Sequence, residues 1–190
     1  DFDTDEVAIT LDENGYPASI SKKARLDTHK LVEEFMLLAN RRVAEYVFSK
    51  TKKQSGKNSV FVYRVHDIPD RDRLEELAVF LKAIGYDFSR KKDGVQARDI
   101  NALFKKIKGK PEESLIKMAT IRTMAKAVYT TKNIGHFGLA FPYYTHFTSP
   151  IRRYPDIMVH RLLARHLEGR YVSTEDLAQY EKLSLRSSEM

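Results

Sequence analysis

Between Gly135 and Leu163 the chain reads GHFGLAFPYYTHFTSPIRRYPDIMVHRLL. No other stretch sets histidine, hydroxyl, arginine, aromatic and proline residues so close together with so few acids. Thr148 and Ser149 stand directly before Pro150, followed by Ile151 and by Arg152 and Arg153. A hydroxyl residue at the N-cap with proline at the first helical position is a helix-start signal, so a helix is expected from about Pro150 to His166. The unpaired N–H groups and positive dipole of such a helix start favour an anion. Two arginines in the first turn oppose that dipole, which makes physical sense if something negatively charged sits at the same end. A phosphate fits that description. The alternative is that Arg152 and Arg153 pair with acids elsewhere, while Tyr143, Tyr144 and Phe147 are ordinary packing.

The elements that must position this stretch follow from periodicity and punctuation. Residues 1–20 read as a β-hairpin, with Val7 to Leu11 and Tyr16 to Ile20 joined through an Asn14-Gly15 turn. From Asp27, an N-cap candidate, the apolar series Leu31, Val32, Phe35, Met36, Leu38, Ala39, Val43, Tyr46, Val47 predicts a long amphipathic helix. Ser59 to Val65 reads as a buried strand ending at His66-Asp67, a pair taken as a structural turn. Pro69 and Asp70 open a second helix with Leu74, Leu77, Ala78, Leu81 and Ile84 on one face and Gly85 as its stop. Ile100, Leu103, Phe104 and Ile107 mark a short helix. Another opens at Pro111, with Leu115, Met118, Ile121, Ala125 and Val128 at core spacing and its methionines as core filler. Residues 130–134 read as a loop and His136 to Phe141 as a strand. Pro155 is expected to loosen the second turn of the signature helix. Ser173 to Asp176 is a capping-box pattern for a last helix. The class is α+β, mostly helical, with a small β-sheet or hairpin.

A net charge of +7 favours a polyanionic partner, through neutralised phosphates and released counterions. The absence of cysteine excludes disulfides and thiolate metal sites and fits a cytoplasmic protein. No apolar run is long enough to span a bilayer, so no membrane association is expected. The acids of the opening DFDTDE (Asp1, Asp3, Asp5 and Glu6) are hard oxygen ligands of the kind Mg²⁺ takes, but alternate acids on an exposed strand are ordinarily just solvated. His136 and His146 show no ligand spacing. His160 and His166 lie six apart and do not share a helix face, so a histidine metal site is not expected.

The run HFGLAFPYYTHFTSPIRRYPDIMVHR resembles the signature of the RNB family of exoribonucleases, most of all its bacterial ribonuclease R members. HKLVEEFMLLAN (His29 to Asn40) and RVHDIPDRDRL (Arg64 to Leu74) fit the same family in the same order, so the resemblance spans most of the chain. It implies processive 3′→5′ hydrolysis of single-stranded RNA, from its 3′ end, to nucleoside monophosphates with Mg²⁺. It also implies that residues 1–190 are the C-terminal part of the catalytic domain, truncated at both ends. The family's metal-binding aspartates precede this stretch, so no metal ligand is assigned here. Arg152, at the family's TSPIR arginine, would hold the scissile phosphate, and Arg153 a backbone phosphate. Thr148, Ser149 and His136 would shape or hydrogen-bond that turn. Glu33 matches an acid that contacts the ribose near the RNA 3′ end; its bland reading is stabilisation of the helix start. Phe2 lies near the family's aromatic that stacks on the terminal bases. The competing function is a non-catalytic RNA-binding module with the same basic turn.

Overall fold

The computed structural model of the chain describes residues 7–24, 26–52, 60–88, 95, 97–170 and 174–190. It divides into two compact units, Asp1–Leu37 and Leu38–Met190. Phe2 and the DFDTDE acids lie outside the described residues, as does Ser173 of the expected capping box.

In the first unit, β1 (Val7–Leu11) and β2 (Pro17–Lys22) form the expected antiparallel hairpin, with Ile9 opposite Ile20. The Asp12 carboxylate accepts from the N–H groups of Asn14 and Tyr16, at 2.9 and 2.8 Å, and closes the turn. Gly15, at φ +82°, takes the left-handed position that the Asn-Gly signal called for. Helix α1 (Asp27–Lys52) begins at Asp27 itself. Its apolar residues Leu31, Val32 and Phe35 are exposed, contrary to the amphipathic expectation. Periodicity marks a face suited to burial but does not supply the surface that buries it. On the same helix beyond Leu37, Val47 of the predicted stripe is buried, together with Asn40 and Ala44, which lie outside it, while Leu38 is exposed.

In the second unit, one core gathers Ala44 and Val47, the segment Val60 to Val65, and Met158, Val159 and Leu162 of a later helix. Only Tyr63–Val65 is paired as β3, antiparallel to β4 (Val128–Thr130), with Arg64 opposite Tyr129. Helix α2 (Arg71–Ala83) starts as its sequence predicts: the Asp70 carboxylate accepts from the N–H groups of Asp72 and Arg73. It packs with α3 (Ala97–Ile107) and α4 (Glu113–Thr123) through Leu77, Leu81, Leu103, Ile107 and Ile116.

Helix α4 departs from its predicted face. Leu115, Met118 and Ile121 are exposed, while Ile116, Thr120 and Thr123 are buried. Both threonine hydroxyls donate back to the carbonyl four residues earlier (Ile116 at 2.8 Å, Ala119 at 3.0 Å), which satisfies them and lets their methyl groups pack. The helix stops at Thr123, and Val128 belongs to β4.

The last two helices are α5 (Tyr154–Leu167) and α6 (Thr174–Glu189). The start of α5 is one turn later than Pro150. A helix begun at Pro150 would need an N–H from residue 155 for the Ile151 carbonyl, and Pro155 has none. Restarting at Tyr154 puts Pro155 in the first turn, where a missing N–H costs nothing. Pro155 therefore does not loosen a second turn. The expected strand at His136 to Phe141 is instead a single 3-10 turn, Phe137–Leu139, closed by Ala140 in the left-handed region.

Candidate functional site

The restart of α5 leaves Ser149 to Arg153 as a free-standing turn. The Ser149 carbonyl accepts from the N–H groups of Arg152 (3.3 Å) and Arg153 (3.1 Å), after which Arg153 turns extended and caps α5. Ile151 at the tip is fully exposed and Arg152 beside it is exposed. Among the described residues Arg152 has no acidic partner. Arg153 points the other way. Its Nε donates to Asp156 Oδ2 at 3.0 Å, and Asp156 is fully buried. Burial pushes the Asp156 carboxyl up, and Arg153 pulls it back down. The negative group inferred at this helix start is thus present within the chain, as Asp156 in the first turn of α5, where the dipole favours it. Thr148 Oγ1, Arg153 Nη2 and Asp156 Oδ1 are buried with no protein partner.

The segment leading into the turn is held from α1. Buried Asn40 donates to the Tyr144 hydroxyl at 3.1 Å and accepts from the Phe147 N–H at 2.9 Å. Thr145 Oγ1 donates to the Val62 carbonyl at 2.7 Å, and the Arg64 N–H donates to the Tyr144 carbonyl. His160 Nε2 donates to the Phe147 carbonyl at 2.9 Å, and its ring stacks on Phe147. These bonds fix the backbone from Tyr144 to Phe147 on three sides, so the Thr148–Arg153 turn projects from a rigid base.

Behind it lies a cluster of rings: His136 on Tyr144, Tyr144 on His146, and His146 on Tyr129. The Tyr129 hydroxyl is 2.7 Å from His146 Nδ1. Burial, and then the positive charges of Arg153, Arg64 and Arg152, push His146 down to about 3. Burial, His66 and Arg64 push His136 down to about 4. Both rings are neutral at pH 7. His66 is structural, as expected: its Nε2 donates to the Ala125 carbonyl at 2.7 Å and its Nδ1 accepts from Gly138 N–H at 2.8 Å. A Cβ on Gly138 would lie 2.9 Å from that nitrogen, so only glycine fits there.

Of the predicted site residues, Arg152, Arg153, Thr148 and Ser149 share this turn, and His136 packs on Tyr144 behind it. Glu33 is in the other unit, exposed, the seventh residue of α1. That is beyond the first turn, to which helix-end stabilisation is confined. Asn40 and Asp156 were missed in the sequence, although each carried a signal. Asn40 interrupts an apolar stripe, and Asp156 falls three residues after Arg153 at a helix start. Among the described residues no three histidine or acidic groups converge to hold a metal. The cluster is cationic, and its one buried carboxylate is engaged by Arg153, so these residues do not fit Mg²⁺. No helix among the described residues is long and apolar enough to cross a membrane.

The family described as RNB domain matches residues 1–169. The chain belongs to the RNB domain family. Ribonuclease R of Aquifex aeolicus is 39% identical over 180 residues, which is 95% of this chain and 24% of that protein. Among solved structures, Mycoplasma genitalium RNase R in complex with ribose-methylated single-stranded RNA matches with a TM-score of 0.80 and 27% identity, covering 100% of this chain and 29% of that one. Yeast Ssd1, described as a pseudonuclease, matches with a TM-score of 0.71 and 25% identity, covering 86% of this chain and 20% of its own. The RNB chain spans about a quarter of the length of the curated relatives it matches.

Proposed function

We propose that this chain forms the phosphate-holding side of an exoribonuclease that hydrolyses single-stranded RNA processively from its 3′ end to nucleoside monophosphates, in the cytoplasm. The observation that carries the reading is Arg152: exposed, without an acidic partner among the described residues, on a turn fixed from behind by Asn40 and the Arg153–Asp156 pair. A planar guanidinium so presented grips two oxygens of the scissile phosphate and stabilises charge that develops on them in the transition state. Thr148 and Ser149 shape the turn. Arg153, already engaged on one edge, is the lesser contact to the RNA backbone. Phe2 is assigned to base stacking. The Mg²⁺ of the reaction is assigned to acids outside this chain.

A non-catalytic RNA-binding module is the second reading, favoured by the likeness to a protein described as a pseudonuclease. One experiment bears on both readings. The purified 190-residue chain is expected to bind single-stranded RNA weakly and to hydrolyse it hardly at all, with or without Mg²⁺. Robust Mg²⁺-dependent release of monophosphates would put the metal ligands inside this chain after all. No RNA binding would remove both readings.

Glu33 is assigned to the ribose, accepting from a 2′-OH, which tells RNA from DNA directly. In the intact enzyme Glu33→Ala is expected to narrow the preference for RNA. Matched RNA and DNA oligonucleotides provide the comparison, and an unchanged ratio of degradation rates would remove Glu33 from the substrate.

A further inference from the structure

Arg64 is a charge in the middle of an apolar strand, between buried Tyr63 and Val65. It faces Tyr129 across the sheet, and its guanidinium carbon stands 4.5 Å from the centre of the Tyr129 ring. Among the described residues no carboxylate pairs with it and no protein acceptor takes its side-chain N–H groups. It is half-buried, and the positive charges of Arg152 and Arg153 act together with its own on His146. The one buried acid of the cluster, Asp156, is engaged by Arg153. No Arg64 nitrogen is among the buried atoms left without a partner, so its N–H groups are open to solvent, and the positive surroundings favour an anion there.

The platform beneath it is fixed. Tyr129 is tied at its hydroxyl to His146, and its N–H donates to Ser188 Oγ at 2.8 Å. Stacking uses the face of a guanidinium and leaves its edge N–H groups free, in the fork that matches two oxygens of a phosphate. We propose that Arg64, standing on Tyr129, forms a second phosphodiester subsite adjoining that of Arg152. A polyanion is favoured over a single small anion because Arg64, joined through Tyr129 to His146, and Arg152 are two separate guanidiniums whose charges both bear on that one ring. The subsite rests on the reading of this face as an RNA contact.

The test is binding of a labelled single-stranded oligoribonucleotide to the purified chain over a series of salt concentrations. Arg64→Gln is expected to raise Kd about 5–10-fold at low salt and to flatten the slope of log K against log salt by about 0.7, the contribution of one phosphate contact to a single strand. Arg71→Ala, which removes an exposed arginine of α2 paired with Glu75, should change neither. If the parent binds RNA while Arg64→Gln keeps both Kd and slope, the subsite is overturned and the RNA reading stands. If the parent does not bind, the two fall together. Should Arg64→Gln fail to fold, Arg64→Lys decides. A Kd about 3-fold higher with unchanged slope supports a fork-to-phosphate contact, and a Kd equal to the parent's overturns it.

Discussion

Replacing Arg152 by lysine in the intact enzyme is expected to lower kcat by about 10²–10³, or roughly 2.7–4 kcal/mol, the cost of losing one transition-state donor. Lysine keeps the positive charge, so a simple electrostatic anchor would survive the change. A fork that spans two phosphate oxygens would not, because an ammonium is a point charge. Arg152→Ala should fall about as far. RNA affinity should change little in either variant, since one phosphate contact among many is a small share of binding. Stability should not change either, because the side chain is exposed and makes no described contact that folding depends on. The measurement is single-turnover kinetics beside equilibrium binding, for both variants. A lysine variant that retains activity, or affinity that falls in step with rate, would reduce Arg152 to an ordinary backbone contact.

Asp156→Ala is expected to destabilise the chain by about 3–5 kcal/mol, because it leaves the partly buried Arg153 guanidinium without a counter-charge. For a chain of this size that is a fall of roughly 6–20 °C in melting temperature. The carboxylate alone is not the source of the stability. Its pKa is raised in the fold, chiefly by burial, so its own titration favours folding most below the unfolded value and that contribution is lost as pH rises through the raised one. What the alanine variant exposes is the cost of an orphaned cation. The double variant Arg153→Met/Asp156→Leu removes both charges and should recover most of the loss, since apolar replacement of a buried pair is often neutral. A melting temperature within a degree or two of the parent for Asp156→Ala would mean that the pair contributes nothing to the fold. If the double variant is stable but slow on RNA, the pair's remaining role is to hold the turn that carries Arg152.

Local signals in the sequence determined a good part of this protein. Asp70 before Arg71, the Leu74–Leu77–Leu81 face and Asn14-Gly15 each act within a few residues, and each produced the predicted element. The contiguous run HFGLAFPYYTHFTSPIRRYPDIMVHR carried most of the family resemblance, because its uncommon residues are adjacent in the chain and need no fold to be read. What tertiary structure decided lies where two local signals conflict or where the partner is distant. Pro150 reads as a helix start and Pro155 as a loosened second turn of the same helix; the missing N–H of Pro155 instead selects the later start and frees the turn. On α4 the apolar series Leu115, Met118 and Ile121 competes with Ile116, Thr120 and Thr123. The second set is buried because its hydroxyls are satisfied by the helix's own carbonyls. Arg64 reads as an anomaly in a strand and Asn40 as a flaw in a helix face. Only the packing of β3 against β4 and of α1 against residues 144–147 turns them into an unpaired guanidinium on a tyrosine and a bolt behind the turn, because contacts 65 and more than 100 residues apart leave no periodicity in the chain.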